Sequence, residues 1–274
     1  MAAENVPPGV DPNVPTPARM YDYFLGGSNN FEVDRQFGNR IKELVPEVSD
    51  SAWANRAFHQ RAVAWLAAQQ GLDQYIDIGA GLPTQGNTHE LVRASIPAAR
   101  VVYVDNDPMV LAHGRALLDG IDGVEMIMAD LRDPDSVLGN PVLTELVDLS
   151  RPVGFLLTGV LYFVADGADP WRLVQRYAHA LAPDSYLVLS HLTSDNKPPR
   201  AIQTGQEVYA RATESLHFRS RDQVERFFAG LELVPPYPGA EPGVSHVGVW
   251  GAEDPVAADT DDSRWLYCGV ARRP

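Results

Sequence analysis

The sequence has a single cysteine, Cys268, among its 274 residues. One thiol excludes an internal disulfide and any metal site built from several cysteines, and it suits a reducing compartment such as the cytoplasm. Positive charge is scarce: 22 Lys and Arg stand against 36 Asp and Glu, a formal net charge of -14. A surface that acidic repels phosphate backbones, which need Lys and Arg to neutralise them. The nearest thing to a basic run is Arg272-Arg273, so no nucleic-acid partner is expected. Long apolar stretches are missing too. The longest, Val153 to Ala165, is too short to cross a bilayer. Met1-Ala2-Ala3-Glu4-Asn5 lacks the basic-then-apolar order of a signal peptide. The expectation is a soluble, cytoplasmic protein without membrane contact. No His-x-x-His pair or carboxylate cluster has ligand spacing, so no metal is expected.

What is present falls into three stretches. Residues 1–17 hold five prolines and little apolar content, which reads as an extended arm. Residues 18–71 read as a helical cap. Thr16 and Pro17 open a first helix that Gly26-Gly27 ends, a second runs from Phe31 to about Val45, and a third starts near Ser51 and stops at Gly71. Residues 72–274 alternate short apolar strands with helices, the pattern of a parallel sheet covered on both faces. Strands are expected at Tyr75–Ile78, Val101–Val104, Glu125–Met128, Val153–Thr158 and Tyr186–Ser190. An antiparallel edge pair follows, Leu231–Val234 and Trp265–Val270, with 235–264 between them as a surface loop.

Three acidic residues stand at the ends of three successive strands. Asp77 leads into Ile78-Gly79-Ala80-Gly81, where glycines let the backbone turn tightly against a ligand. Asp105, followed by Asn106, is placed to accept both hydroxyls of a ribose. Asp130 is placed to accept an adenine amine while Leu131 packs on the ring. Alone, each has a bland reading as a turn or capping residue; in this order they describe an adenosine site. NAD is disfavoured, because Gly81 is followed by Leu82-Pro83-Thr84-Gln85 and the third glycine, Gly86, comes too late for the dinucleotide fingerprint.

Ala18-Arg19-Met20-Tyr21-Asp22-Tyr23-Phe24-Leu25-Gly26-Gly27, Asp77-Ile78-Gly79-Ala80-Gly81-Leu82-Pro83-Thr84, Tyr103-Val104-Asp105-Asn106-Asp107-Pro108 and Ser185-Tyr186-Leu187-Val188-Leu189-Ser190-His191 span nearly the whole chain. In these stretches the sequence resembles a bacterial S-adenosyl-L-methionine-dependent methyltransferase family long described as a domain of unknown function. The resemblance implies the class I fold: a Rossmann-like α/β architecture whose seven-stranded sheet ends in an antiparallel strand, with an N-terminal helical cap. It implies S-adenosyl-L-methionine as cofactor but no settled substrate. Members often carry a histidine at the position of Tyr162, so a base role resting on that histidine does not carry over.

Other residues complete the expected site. Arg19 and Tyr21 on the cap are placed to close over the cofactor, with Arg19 on a carboxylate, and Thr84 to hold the methionine end; Thr158 ends the fourth strand beside it. Tyr162 and His191 are the candidates for the acceptor side. The Asn/Asp-Pro-Pro-Tyr motif of base and glutamine methylation is absent, as is a Pro-Cys nucleophile. The function expected is O- or N-methylation of a small molecule; the rival is a non-catalytic S-adenosylmethionine sensor.

Overall fold

A computed structural model of the chain describes residues 6–83 and 86–274; the start of the arm and Thr84 lie outside the described residues. Helix α1 (Pro17–Phe24) begins where the capping signal places it, with the Thr16 side chain accepting the Arg19 amide. Gly26, at φ +79°, ends it. In α2 (Glu32–Lys42) the Asp34 carboxylate accepts the amides of Phe31 and Thr16, at 2.8 and 3.1 Å. One side chain therefore joins the starts of two helices. The same carboxylate pairs with Arg19 Nε at 2.9 Å, both residues being almost wholly buried. The long α3 (Val48–Gln70) stops at left-handed Gly71.

The sheet comprises β1 (Gln74–Ile78), β2 (Arg100–Asp105), β3 (Val124–Met128), β4 (Gly154–Thr158), β5 (Tyr186–Leu192), β6 (Glu232–Leu233), β7 (Ser245–His246) and β8 (Leu266–Arg272). Their order is β3-β2-β1-β4-β5-β8-β6, with β7 paired on β8. The first five strands are parallel, and β8 runs antiparallel between β5 and β6. This is the class I arrangement. It carries one addition, because β7 lies inside the stretch expected to be only surface loop. That stretch also buries Val244, Val247 and Trp250, so it is part of the core wall.

Between the strands come α4 (Thr88–Arg93), α5 (Pro108–Leu118), α6 (Pro134–Leu138), α7 (Pro141–Leu146), α8 (Pro170–Ala180), α9 (Pro199–Tyr209) and α10 (Arg221–Glu225). Four of them, α5 to α8, start the same way: proline in the first turn and an Asp or Asn cap whose side chain accepts an amide of that turn. Alternation along the strands sorts the core into two layers. Tyr75, Val101, Leu156, Val188 and Val270 face α3 and the cap, whereas Ile76, Val102, Phe155, Leu189 and Ala271 face α7 and α8. The first layer is continuous with Met20, Phe58 and Leu66, so α3 serves as both cap and sheet cover. Among the described residues no helix is long and apolar enough to cross a membrane.

Replacing Arg19 by Met strands the buried Asp34 carboxylate and is expected to cost about 3–5 kcal/mol of unfolding free energy. Adding Asp34→Asn should recover part of that loss, because no charge is then left unpaired. Urea unfolding of the two variants measures both effects.

Candidate active site

The strands β1, β2, β3 and β4 end at one cavity of about 440 Å3, on the side where an open parallel sheet binds its ligands. The turn after β1 is built from backbone. Gly79 and Gly81 have φ of +72° and +67°, and the Gly79 amide donates to the Val104 carbonyl at 2.8 Å. A Cβ on Gly79 would stand 2.5 Å from Val160 Cγ2, so only glycine fits. The Gly81 amide then donates to Asp105 Oδ2 at 2.9 Å, and the Asp107 amide to Asp105 Oδ1. Burial pushes the Asp105 carboxyl up to about 6 in spite of these donors.

Below this turn runs a chain of buried polar contacts that no strand-end motif announces. Thr88 Oγ1 donates to Asp77 Oδ2 at 2.6 Å. His59 of α3 sits between Thr88 Oγ1 and Thr158 Oγ1, with 2.9 Å to each from Nε2 and Nδ1. Burial, reinforced by the Arg56 charge, pushes the His59 ring down to about 3, so the imidazole is neutral. With Thr88 donating to the carboxylate, Nε2 carries the proton and Nδ1 accepts the Thr158 hydroxyl. Burial likewise pushes Asp77 up to about 6, against the Thr88 hydrogen bond and the Arg56 charge.

Most of the expected residues meet here. Arg19, Tyr21, Asp77, Gly79, Ala80, Gly81, Asp105, Asn106, Leu131, Thr158 and Tyr162 all border the cavity. Three of the expected roles meet obstacles. Arg19 gives its charge to Asp34, and its remaining donors go to the carbonyls of Asp11 and Val14. It clamps the arm over the cavity instead of offering a free cation. Asp130 is not among the lining residues; Arg132 holds its carboxylate in a paired contact, at 2.9 and 2.7 Å, and reaches Glu214 as well. Burial raises the Asp130 carboxyl, and the Arg132 hydrogen bonds and charge more than reverse that. His191, expected to face the acceptor, lies outside the cavity wall. Its Nδ1 donates to the Leu192 carbonyl, its Nε2 accepts from Arg219, and its ring stacks on Phe227. With burial and the Arg219 charge pushing it down to about 3, it has no free nitrogen for a base. That assignment is corrected.

Pattern reading missed Asn55, Arg56 and His59 on α3 and Tyr209 at the end of α9, all of which line the cavity. Asn55 and His59 are one turn apart on a buried helix face, and that spacing was a usable signal. Arg56 differs from Arg19 and Arg132: among the described residues it has no carboxylate partner and its Nε is buried without a hydrogen bond, while its terminal nitrogen donates to the Gly86 carbonyl at 3.0 Å. The arm also roofs the cavity, through Gly9, Val10, Asp11 and Val14, and is tied down by the Thr213 amide on the Pro15 carbonyl.

A family model described as S-adenosyl methyltransferase matches residues 3–274. Among solved structures the chain is similar to a candidate methyltransferase from Thermobifida fusca, at 38% identity over 97% of each chain and a TM-score of 0.89. It is equally similar to a DUF574-family protein from Streptomyces avermitilis, at 36% identity over 96% of this chain and 99% of that one, TM-score 0.88. No curated protein matches.

Both buried carboxyls sit above their unfolded range, so the folded state binds their protons more tightly. The stability this linkage supplies is full below the unfolded midpoint near 4 and is lost as pH rises through about 6. Carbon-13 titration of the Asp side chains should show two midpoints near 6, one of them removed by Asp105→Asn. Ordinary midpoints near 4 for every aspartate would contradict the burial argument.

Proposed function

The chain belongs to the S-adenosyl methyltransferase family, and from that premise we propose that it methylates an oxygen or nitrogen of a small molecule. The observation that carries the proposal is the roof. Arm residues 9–14 and α1 cross the strand ends above the cavity, so an acceptor must fit beneath them beside the cofactor. A net charge of -14 also opposes a nucleic-acid acceptor.

The donor set suits S-adenosylmethionine, which supplies a methyl group already activated on a sulfonium sulfur. Asp105 has carboxylate lone pairs to spare after its two backbone donors, and in this reading they take the ribose hydroxyls. Gly79, Ala80 and Gly81 allow close backbone approach. Arg56 is the cation for the amino-acid carboxylate, with Tyr21 bordering the same cavity; Thr84, expected at that end, lies outside the described residues. Leu131 packs against the adenine; Asp130 can take the adenine amine only by loosening its grip on Arg132, and Asn106 stands beside it. Thr158 is oriented by His59, which fixes where its hydroxyl points.

Catalysis then rests on placement. Residues that hold both reactants in line and exclude water can supply much of the rate of a displacement at carbon. Among the described residues the wall holds no free imidazole, since both His59 nitrogens are bonded, and in this reading the acceptor reaches the site with its lone pair available. The non-catalytic sensor reading has no observation in its favour.

Calorimetric titration with S-adenosylhomocysteine should show binding. Asp105→Ala should weaken it by roughly 2–3 kcal/mol, about a hundredfold, and Arg56→Met by about tenfold or more; unchanged affinity would remove either assignment. Ribose binding needs the Asp105 carboxylate, whereas the free protein holds a proton there below about 6. Affinity should therefore be level above pH 7 and fall as pH drops below about 6, and Asp105→Asn should flatten that fall. Transfer of labelled methyl to a panel of phenols, carboxylic acids and amines tests the acceptor class.

A further inference from the structure

A second cavity of about 90 Å3 adjoins the first, enclosed by the cap helices, α9 and the end of β5. Its wall is nearly all hydrocarbon, formed by groups such as Phe24, Ile41, Val45, Leu216, Phe218 and Trp265. Four residues border both cavities: Tyr21, Asn55, Tyr162 and Tyr209. Two of them are satisfied within the protein. The Tyr21 hydroxyl donates to the Ala52 carbonyl at 3.0 Å and accepts from Asn55, whose oxygen accepts from Ser190.

The other two are not. Tyr162 and Tyr209 are only 7% and 8% exposed, yet among the described residues their hydroxyls make no hydrogen bond. Each residue borders both cavities, so its hydroxyl has a hydrogen bond left to give to a molecule bound there. Burial, with the neighbouring phenols adding to it, pushes both hydroxyls well above the ordinary tyrosine range. Both stay protonated and able to donate. Among the described residues no carboxylate lines the smaller cavity, so an ammonium would be buried there without a counter-charge.

Building on the methyltransferase reading above, we propose that the smaller cavity holds the ring of a single-ring phenol, its oxygen at the shared wall accepting from the Tyr162 and Tyr209 hydroxyls. At about 90 Å3 the space is smaller than the engineered ~150 Å3 apolar cavity that admits benzene, which limits it to one ring and excludes a fused system. The acceptor binds as its phenolate, the proton having gone to water beforehand. An oxygen lone pair forms the O–CH3 bond as the C–S bond breaks, and that bonding pair stays on sulfur as the neutral thioether. The negative oxygen and the positive sulfonium both become neutral, a change that apolar surroundings favour. No proton moves in the step, in keeping with a shared wall of three phenols and an amide, which holds no imidazole or carboxylate.

The probe is 4-nitrophenol, titrated by calorimetry and by phenolate absorbance into the protein saturated with S-adenosylhomocysteine, with 4-nitrobenzylamine as comparison. The phenol is expected to bind in preference to the amine, whose ammonium would be buried without a counter-charge. Tyr162→Phe and Tyr209→Phe, which remove only a hydroxyl, should each weaken it about tenfold or more. Leu216→Trp, which fills the smaller cavity without bordering the larger, should weaken it at least tenfold with S-adenosylhomocysteine affinity within twofold. Normal S-adenosylhomocysteine binding with no phenol uptake, a preference for the amine, or full phenol affinity in both Tyr→Phe variants overturns this proposal and leaves the methyltransferase reading standing. Failure of the wild type to bind S-adenosylhomocysteine sinks both.

Discussion

Where β1 ends, the backbone must cross the end of β2 with no side chain in its way. Val160, arriving from the end of β4, occupies the space a Cβ on Gly79 would need, and the amide of that residue is committed to the Val104 carbonyl. The turn is therefore left-handed and glycine-only, and its position decides the rest. It brings the Gly81 amide onto Asp105, which locks two strand ends to each other, and it leaves Asp77 beneath the loop against Thr88. A cavity with one backbone-lined end follows from that packing, whatever fills the remainder.

The electrostatics of the site follow from burial more than from charge pairing. Asp77 and Asp105 are both pushed up to about 6, His59 is held neutral, and two of three nearby arginines are consumed by carboxylates. What remains, among the described residues, is a wall of nearly neutral donors and acceptors in which Arg56 is the cation without a carboxylate partner. Such a wall can orient a charged sulfonium and an electron-rich acceptor without competing for either charge. The helix that supplies Asn55, Arg56 and His59 also packs against β4, β5 and β8, so the polar chain is held by the same contacts that cover the sheet.

Much of the fold was legible because its signals are local. Thr16-Pro17, Asp107-Pro108, Asn140-Pro141 and Asp169-Pro170 each open a helix, and Gly71 closes α3. Local signals also failed in places. Helix α9 starts at Pro199 without a side-chain cap, and so passed unread, although Tyr209 at its end faces both cavities. The stretch 235–264 looked like loop by composition, but Val247 and Trp250 are buried against the cap side of the core, a long-range contact that composition does not carry.

The order of strands and helices, the glycine turn and the spacing of Asp77, Asp105 and Asp130 were set out by the sequence, because each depends on residues a few positions apart. Tertiary structure alone decided which of those groups are free to act. Arg19 and His191 carry the right chemistry, but their partners, Asp34 and Arg219, come from other elements and use it up. Conversely, His59, Arg56 and Tyr209 look like ordinary helix residues until α3 and α9 are laid across the strand ends. The glycine loop after Asp77 could be read from its neighbours in the chain; what it faces could be read only from its neighbours in space.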